Sequence, residues 1–195
     1  MSLNAGSTMT PTIPDIFPTL HSNRLDLTQM KPSHATDILH IYGEKKLAEF
    51  ENIKILTSEK EALDFIHRFQ VRFNEKKGIR WAISIKGEKQ IIGTIGFKGF
   101  IPLHKAFVGY EIHPDFEGKG YATEAVATAV DYAFGSLDLQ RVEAEVMPGN
   151  MASEKVLIKN GFKKEGLLER SMYWEGKFFD INLFALLQSD YRTRQ

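Results

Sequence analysis

The turn at residues 115–125, DFEGKGYATEA, limits what this chain can fold into more than any other stretch. A strand-like run precedes it, and small apolar residues recur after it at helical spacing as far as residue 135. Glycines at positions 118 and 120 let the backbone approach an anion closely, because no Cβ intervenes. A helix N-terminus adds unpaired amide N–H groups and the positive end of the helix dipole. Residues 118–122 therefore predict an anion-binding turn to which Lys119 adds a charge, and a tight turn without a ligand is the alternative that this stretch leaves open.

Several familiar motifs are excluded. A dinucleotide fingerprint requires a third glycine where Thr123 stands, and a Walker loop requires serine or threonine where Gly120 stands. There is no Gly-x-Ser-x-Gly and no His-Glu-x-x-His sequence, and the six histidines are scattered without ligand spacing. The sequence therefore predicts neither a serine hydrolase nor a metal site.

Composition restricts the class and the partners. The chain has 195 residues, of which 43% are hydrophobic, and its 25 basic residues balance its 25 acidic residues. This balance gives no reason to expect nucleic acid or an anionic membrane as a partner. The absence of cysteine excludes disulfides, thiolate metal sites and a cysteine nucleophile, and a cytoplasmic location is expected. No apolar run reaches the roughly 20 residues of a membrane-spanning helix, and the N-terminus lacks the pattern of a secretory signal.

Hydrophobic periodicity predicts a mixed α/β chain with the sheet at its centre. The predicted order is one strand, two helices, three strands, a helix, a strand, a helix and then short strands with a turn at Glu175-Gly176. No repeat or linker divides the chain. Residues 18–195 are therefore predicted to form one domain after a flexible N-terminal segment, residues 1–17.

Two segments resemble the GNAT superfamily of acetyl-CoA-dependent N-acetyltransferases. The first, VGYEIHPDFEGKGYATEA over residues 108–125, is similar to the acyl-CoA motif, usually Gln/Arg-x-x-Gly-x-Gly/Ala. The second, NMASEKVLIKNGF over residues 150–162, is similar to the Asn-x-x-Ser…Gly-Phe pattern of the RimJ/RimL branch, which acetylates ribosomal-protein N-termini. The resemblance covers roughly residues 18–192. It implies a GNAT-type α/β fold in which a mixed, mostly antiparallel sheet splays at the cofactor site and carries helices on both faces.

The resemblance also implies acetyl-CoA (coenzyme A) as the cofactor. The pantothenate arm would lie along a bulged strand near Glu111, a strand N–H near Ile112 would polarise the thioester carbonyl, and the pyrophosphate would rest on the glycine turn. Glu117 departs from the family pattern, and an acid pointing inward would weaken phosphate binding. The residues expected to bind the cofactor are Ile112, His113, Glu117, Gly118, Lys119, Gly120, Tyr121, Ala122, Thr123, Asn150 and Ser153.

The implied reaction is the direct attack of a neutral amine on the thioester, which calls for a base and for a proton donor to the leaving thiolate. Glu111 is the first candidate for the base, with an outward-facing strand carboxylate as the alternative, and His113 is a weaker candidate. Many GNAT enzymes place a tyrosine seven residues after the asparagine, but this chain has Leu157 there. Ser153 is therefore assigned as the donor, with helix capping as its alternative role, and Tyr173 is held in reserve.

The acceptor is left open between a protein N-terminus, ribosomal or other, and a small amine such as a polyamine or an aminoglycoside. Glu51 is a candidate for shaping the acceptor pocket, and Tyr110 is either a lining residue of that pocket or a core residue. The alternative from another class is a non-catalytic acyl-CoA-binding regulatory module, which Glu117 and the missing tyrosine at position 157 favour. No membrane or nucleic-acid partner is expected, and both a monomer and a homodimer are compatible with the sequence.

Overall fold

A computed structural model describes residues 13–50 and 54–193. The strands are β1 (Leu20–His21), β2 (Leu25–Gln29), β3 (Ile79–Ile85), β4 (Ile91–Ile101), β5 (Lys105–Ile112), β6 (Arg141–Val146), β7 (Lys163–Trp174) and β8 (Lys177–Leu187). The helices are α1 (Ala35–Gly43), α2 (Glu59–Asn74), α3 (Tyr121–Gly135), α4 (Met151–Lys159) and α5 (Gln188–Arg192), and 3₁₀ turns span Pro32–His34, Lys45–Glu49 and Pro114–Phe116. None of the helices in the described ranges is both long and apolar enough to cross a membrane.

The eight strands form one sheet in the order β1-β2-β3-β4-β5-β6-β8-β7. Every neighbouring pair is antiparallel except β5 and β6, which are parallel. The prediction of a mixed, mostly antiparallel sheet is confirmed. The predicted order of elements is also confirmed as far as the last helix before the C-terminal strands, except that the two-residue strand β1 was not predicted.

Helices cover both faces of the sheet, as predicted. Trp81 and Ala82 are consecutive in β3, so their side chains point to opposite faces. Ala82 packs with α1 and α2 through Ile38 and Ile66, in one apolar cluster. Trp81 belongs to a second cluster that includes Val126 of α3 and Leu157 of α4. The two apolar layers bury the sheet on both sides, and burial of apolar surface is the main term that stabilises such an arrangement.

The C-terminal part differs from the prediction. The strands β7 and β8 contain 12 and 11 residues, whereas short strands were expected. Most side chains of β7 are exposed, so this strand lacks the alternation of buried and exposed residues that marks a strand in the sequence. The short helix α5 was not predicted.

The packed part of the chain begins before residue 18. The Ile13 side chain is only 1% exposed and lies in the core. The Phe17 ring lies 4.8 Å from the Phe73 ring, and the Trp81 indole N–H donates to Pro18 O at 2.8 Å. Residues 13–17 therefore belong to the folded domain, contrary to the predicted boundary, because Ile13 and Phe17 fill apolar space beside β3.

The sheet splays between its two parallel strands. The β5–β6 ladder contains only the pairs Lys105–Arg141, Ala106–Val142 and Phe107–Glu143, although both strands continue beyond it. The bulge that the resemblance implied near Glu111 is not seen, because the pairing of β5 with β4 runs without a shift from Val108 to Ile112. The gap therefore arises from the divergence of β6 rather than from a bulge in β5.

Candidate active site

The glycine turn between β5 and α3 has the backbone geometry that two glycines allow. Gly118 and Gly120 have φ angles of +73° and +81°, in the left-handed region that residues with a Cβ rarely adopt. Helix α3 begins at Tyr121, and the Glu124 N–H donates to Gly120 O at 3.1 Å. The amides of residues 121–123 precede this bond, so they have no carbonyl partner within the helix and are available to an anion.

Arg24, which lies just before β2, contacts this turn and the start of α3. Its guanidinium donates to Lys119 O at 3.0 Å and to Glu124 Oε2 at 2.6 Å, and it lies 4.8 Å from the centre of the Tyr121 ring. Glu124 also accepts a hydrogen bond from Ser22 Oγ at 2.8 Å. Burial by itself raises the pKa of Glu124, but the hydrogen bonds and the charge of Arg24 outweigh it, so the pKa lies below its usual value. No motif in the sequence marks Arg24 as a partner of the turn.

A cavity of about 410 Å³ lies between the glycine turn, the second half of β5 and the start of α4. We call it the cofactor cavity. Most of the residues predicted to bind the cofactor line it: Ile112, Glu117, Gly118, Gly120, Tyr121, Ala122, Thr123, Asn150 and Ser153, together with Glu111.

Two predicted cofactor-binding residues, Lys119 and His113, are not among those that line the cofactor cavity. The Lys119 Nζ atom instead donates to Asp115 O at 2.8 Å and lies 5.1 Å from the centre of the Phe116 ring. The His113 side chain is buried against α1, where its ring lies 4.1 Å from the ring of His40. The assignment of His113 is therefore corrected. The Lys119 side chain is not placed to add its charge to the cavity, whereas binding through the Lys119 backbone amide stays a prediction.

The cations of the cofactor cavity are Lys46 and Lys159, which no sequence motif indicated. The Lys46 Nζ atom lies 2.5 Å from Glu117 Oε2. The hydrogen bond to Glu117, supported by the charge of that carboxylate, raises the pKa of Lys46. The charge of Glu117 is thus balanced within the protein. This pairing answers the electrostatic objection to an acid at position 117.

The second half of β5 presents unpaired backbone to the cofactor cavity. Its ladder with β6 ends at Phe107, whereas its ladder with β4 continues to Ile112. The His113 N–H donates to Ile92 O at 2.8 Å, on the β4 side. Successive N–H groups of a strand point to opposite edges, so the Ile112 N–H points into the gap beside β6. An extended ligand arm would find hydrogen-bonding positions there.

At the start of α4, Asn150 caps the helix, while the hydroxyl of Ser153 faces another side chain. Asn150 Oδ1 accepts from the Ser153 N–H at 3.1 Å, so Asn150 caps the helix. The Ser153 hydroxyl lies 2.9 Å from Tyr110 Oη, and both residues line the cofactor cavity. Tyr110 therefore brings a phenol to Ser153. Leu157, at the position where many relatives have tyrosine, is fully buried in the core.

Glu111 is buried rather than facing solvent, with a relative exposure of 8%. Its Oε2 atom pairs with the Arg80 guanidinium and accepts hydrogen bonds from Tyr42 Oη at 2.8 Å and Thr94 Oγ1 at 3.1 Å. The alternative of an outward-facing strand carboxylate is therefore wrong. All of these bonds reach Oε2, so the second oxygen of Glu111 is left for other partners.

A second cavity, of about 530 Å³, lies between the sheet and the two N-terminal helices. We call it the acceptor cavity. Glu111 lines both this cavity and the cofactor cavity, so it forms part of the wall that they share. The other residues of the acceptor cavity are Tyr42, Lys54, Leu56, Glu61, Asp64, Phe65, Arg68, Phe69 and Arg80. Glu51, which was expected to shape this region, lies outside the described residues.

Tyr173 does not reach either cavity. It is 61% exposed near the end of the β7–β8 hairpin, and its ring lies 4.9 Å from that of Phe178. Its assignment as a reserve proton donor is therefore corrected. Its position near the end of the hairpin follows from the length of β7, which the sequence did not reveal.

Comparisons with known proteins agree with this geometry. The chain matches the acetyltransferase (GNAT) domain over residues 24–163. The uncharacterized N-acetyltransferase YoaA of Bacillus subtilis is 35% identical over 174 residues, which are 89% of this chain and 98% of that protein. The ribosomal protein uS5 alanine N-acetyltransferase of Escherichia coli is 33% identical over 106 residues, which are 53% of this chain and 55% of that enzyme. The structure of Mycobacterium smegmatis RimJ in complex with CoA-disulfide has a TM-score of 0.82 at 24% identity and covers 91% of this chain and 90% of that one, a likeness of fold.

The matched region contains the glycine turn, the splayed strands and the start of α4, which together shape the cofactor cavity. Its glycine conformations, unpaired amides and lysines fit a phosphate-bearing cofactor with an extended arm. GNAT enzymes take their acetyl group from acetyl-CoA, and this chain belongs to the GNAT family of acetyltransferases.

Proposed function

We propose that this chain moves an acetyl group from acetyl-CoA directly to a primary amine and that its preferred acceptor is the α-amine of a protein N-terminus. The observation that carries the proposal is the position of Glu111 in the wall between two cavities. Direct transfer requires donor and acceptor to be bound together, with their reacting atoms in contact. Two cavities that meet at a carboxylate provide that arrangement.

The cofactor side is assigned to backbone and lysine groups. The amides of residues 121–123 and the side chains of Lys46 and Lys159 bind phosphate, and the Ile112 N–H faces the carbonyl of the thioester. Acetyl-CoA supplies an activated acyl group, whose carbon forms a bond to the amine nitrogen as its bond to sulfur breaks. The protein contributes positioning and charge stabilisation.

The acceptor side is assigned to Glu111. Because its contacts with Arg80, Tyr42 and Thr94 all involve Oε2, we assign Oε1 to receive the proton of the acceptor amine, directly or through water. An α-amine has an ordinary pKa of about 7.7 to 8.0, against about 10.4 for lysine, so it needs less assistance to become neutral. This difference favours an N-terminus over a lysine side chain as the acceptor.

The leaving sulfur is assigned to the pair formed by Ser153 and Tyr110. The Ser153 hydroxyl donates toward sulfur. The Tyr110 hydroxyl donates to Ser153 O at 3.2 Å and lies 2.9 Å from Ser153 Oγ, so it can switch to donate to Oγ in turn. The pair replaces the tyrosine that the chain lacks at position 157. The choice of a protein acceptor is supported by the Escherichia coli relative, whose name states that it acetylates an alanine of ribosomal protein uS5.

The test is a thiol-release assay with matched acceptors. Peptides with a free N-terminus should be acetylated, whereas the same peptides with a blocked N-terminus and an internal lysine should not. Polyamines and aminoglycosides form a third arm. Selective binding of acetyl-CoA without turnover of any amine would contradict the proposal and favour a non-catalytic binding module.

Variants then assign the roles. Glu111→Gln should lower kcat by about 10²- to 10⁴-fold, the usual contribution of a general base, and leave the Kd for acetyl-CoA unchanged. Ser153→Ala and Tyr110→Phe should each lower kcat, and the double variant should lose less than the sum of the two effects in free energy, because they act as one unit. Asp64→Asn is the control, since Asp64 lines the acceptor cavity but its side chain is 64% exposed. Equal losses in the Glu111 and Asp64 variants would refute the role of Glu111.

A further inference from the structure

A buried histidine nitrogen outside both cavities has no hydrogen-bond partner. The His113 side chain is 5% exposed, and its Nε2 atom is the one buried side-chain nitrogen or oxygen without a partner among the described residues. A buried polar atom left unpaired costs about 1–3 kcal/mol. A folded protein keeps such an atom only where something offsets this cost, and a bound ion is a common reason.

Two further ligand-type side chains converge on this atom. His40 lies in the last turn of α1 and Glu44 directly follows the helix, so their spacing of four residues places them on one side. Glu44 Oε1 lies 3.8 Å from His113 Nε2, and the His40 ring is stacked on the His113 ring. One ligand atom from each of the three residues lies within 4.8 Å of the others.

We propose that His40, Glu44 and His113 form a binding site for a divalent transition metal ion of the zinc type. Imidazole nitrogens and a carboxylate oxygen are common ligands of zinc, and three protein ligands leave a fourth position for water. Ligand atoms around a tetrahedral zinc ion are separated by about 3.3 Å, given bonds of about 2.0–2.1 Å. His40 is exposed and the Glu44 side chain is 42% exposed, so both can move toward the fixed His113.

The other ring nitrogen must exchange its hydrogen bond when a metal binds at Nε2. His113 Nδ1 accepts a hydrogen bond from the Asp115 N–H at 3.2 Å, which places the ring proton of the neutral, metal-free form on Nε2. Binding of a metal at Nε2 moves that proton to Nδ1 and breaks the hydrogen bond from the Asp115 N–H, which is a cost of binding. Asp115 Oδ2 lies 3.7 Å from Nδ1 on a side chain that is 77% exposed, so it can turn to accept the proton. The result is the carboxylate–histidine–metal arrangement that is usual for such ligands.

The site also links two walls of the cofactor cavity. His113 precedes the 3₁₀ turn that leads to Glu117, and Glu44 precedes the 3₁₀ turn that contains Lys46. A metal ion held by both segments would act as a clamp beside the Lys46–Glu117 ion pair. The spacing of His40 and Glu44 is the only local signal of this site, because His113 is far from both in the sequence.

The experiment is a titration of metal-free, untagged protein with Zn²⁺ and, separately, with Co²⁺. We expect one equivalent to bind, the visible absorption of Co²⁺ to show nitrogen and oxygen ligation, and Tm to rise by about 5–10 °C when free Zn²⁺ is 100 times Kd. His40→Ala should weaken binding at least tenfold, and Asp115→Asn by about 10- to 100-fold. His67→Ala is the control, because His67 is an exposed histidine on α2, away from the three ligands.

Two outcomes would overturn the proposal. One is the absence of saturable binding at submillimolar metal. The other is binding that His40→Ala and His67→Ala weaken equally, which would indicate scattered surface histidines. His113→Gln serves as a second variant with an independent readout, because it removes the unpaired nitrogen. It should abolish the Co²⁺ spectrum while Tm in the absence of metal stays near that of the parent protein.

Discussion

Replacing Gly118 with alanine tests whether the amides of the glycine turn bind the cofactor. Gly118 has a φ of +73°, and a Cβ built there would meet no atom within 4 Å. The substitution therefore adds no clash, and its effect comes from the backbone angle alone. The left-handed region is unfavourable for an L-residue by about 1–2 kcal/mol. In a chain of 195 residues, we expect a decrease in Tm of about 2–8 °C.

The effect on the cofactor should exceed the effect on stability. An alanine at position 118 relieves its strain by moving φ to a negative value, which turns neighbouring amides away from the phosphates. Losing one hydrogen bond to a charged group removes about 1.5–3 kcal/mol. Affinity for acetyl-CoA should therefore fall by about 10- to 150-fold. Calorimetric titration measures this Kd, and circular dichroism measures Tm on the same samples.

Gly87→Ala is the matched control. Gly87 has a φ of +84° and also has open space around its Cβ position, but it lies in the turn between β3 and β4. It should lower Tm to a similar extent and leave the Kd unchanged. If Gly118→Ala binds acetyl-CoA as tightly as the parent, the amides of the turn do not hold the phosphates. If both variants lose affinity equally, the loss reflects general destabilisation.

Three further predictions concern charged side chains of the two cavities and of the glycine turn. Arg80→Met should lower the free energy of unfolding in urea by about 3–5 kcal/mol, because it leaves the Glu111 carboxylate buried without its cation. The double variant Arg80→Met with Glu111→Gln should recover much of that loss, and equal stability of the single and double variants would contradict this reasoning. Lys46→Met should weaken acetyl-CoA binding in calorimetry, because it leaves the Glu117 carboxylate without its cation near the phosphates. Adding Glu117→Gln should restore part of the affinity, and no recovery would show that the Glu117 carboxylate is not the cause. The pKa of Glu124 is lowered in the folded protein, so its contribution to stability is present above its ordinary value of 4.5 and is lost as the pH falls through the folded value. Glu124→Gln should therefore lower Tm at pH 7 and flatten the decline of Tm below pH 4.5, and parallel Tm profiles would refute this.

Local patterns in the sequence predicted the parts of the site that depend on consecutive residues. The helix start after Gly120 and the cap by Asn150 each need only a few neighbouring residues to be recognised, and both are present in the structure. The fold class was predictable for the same reason, since apolar periodicity marks most strands and helices. The exception is β7, whose exposed side chains carry no such pattern.

Contacts between distant segments were not predictable in this way. Arg24 reaches the glycine turn from before β2, and Lys46 reaches Glu117 from the turn after α1. The partner of Ser153 is likewise on another element, because Tyr110 lies on β5. Each of these pairs depends on how the elements pack. The orientation of Glu111 was left open between two alternatives for the same reason, since only packing of α1 brings Tyr42 to it.

Because the β5–β6 ladder ends early, part of the β5 backbone is unpaired although β5 lies in the middle of the sheet. Exposed strand edges usually lie at the margin of a sheet, where proteins protect them against pairing with another chain. Here the exposed backbone of β5 faces a narrowing notch between two strands that are still joined at Phe107 and Glu143. A notch that closes at one end can receive a single extended chain over a few residues but cannot start an indefinite stack of strands. Under the proposed function, the acyl-CoA arm is such a chain, and the bound cofactor would take the place of a missing piece of the sheet.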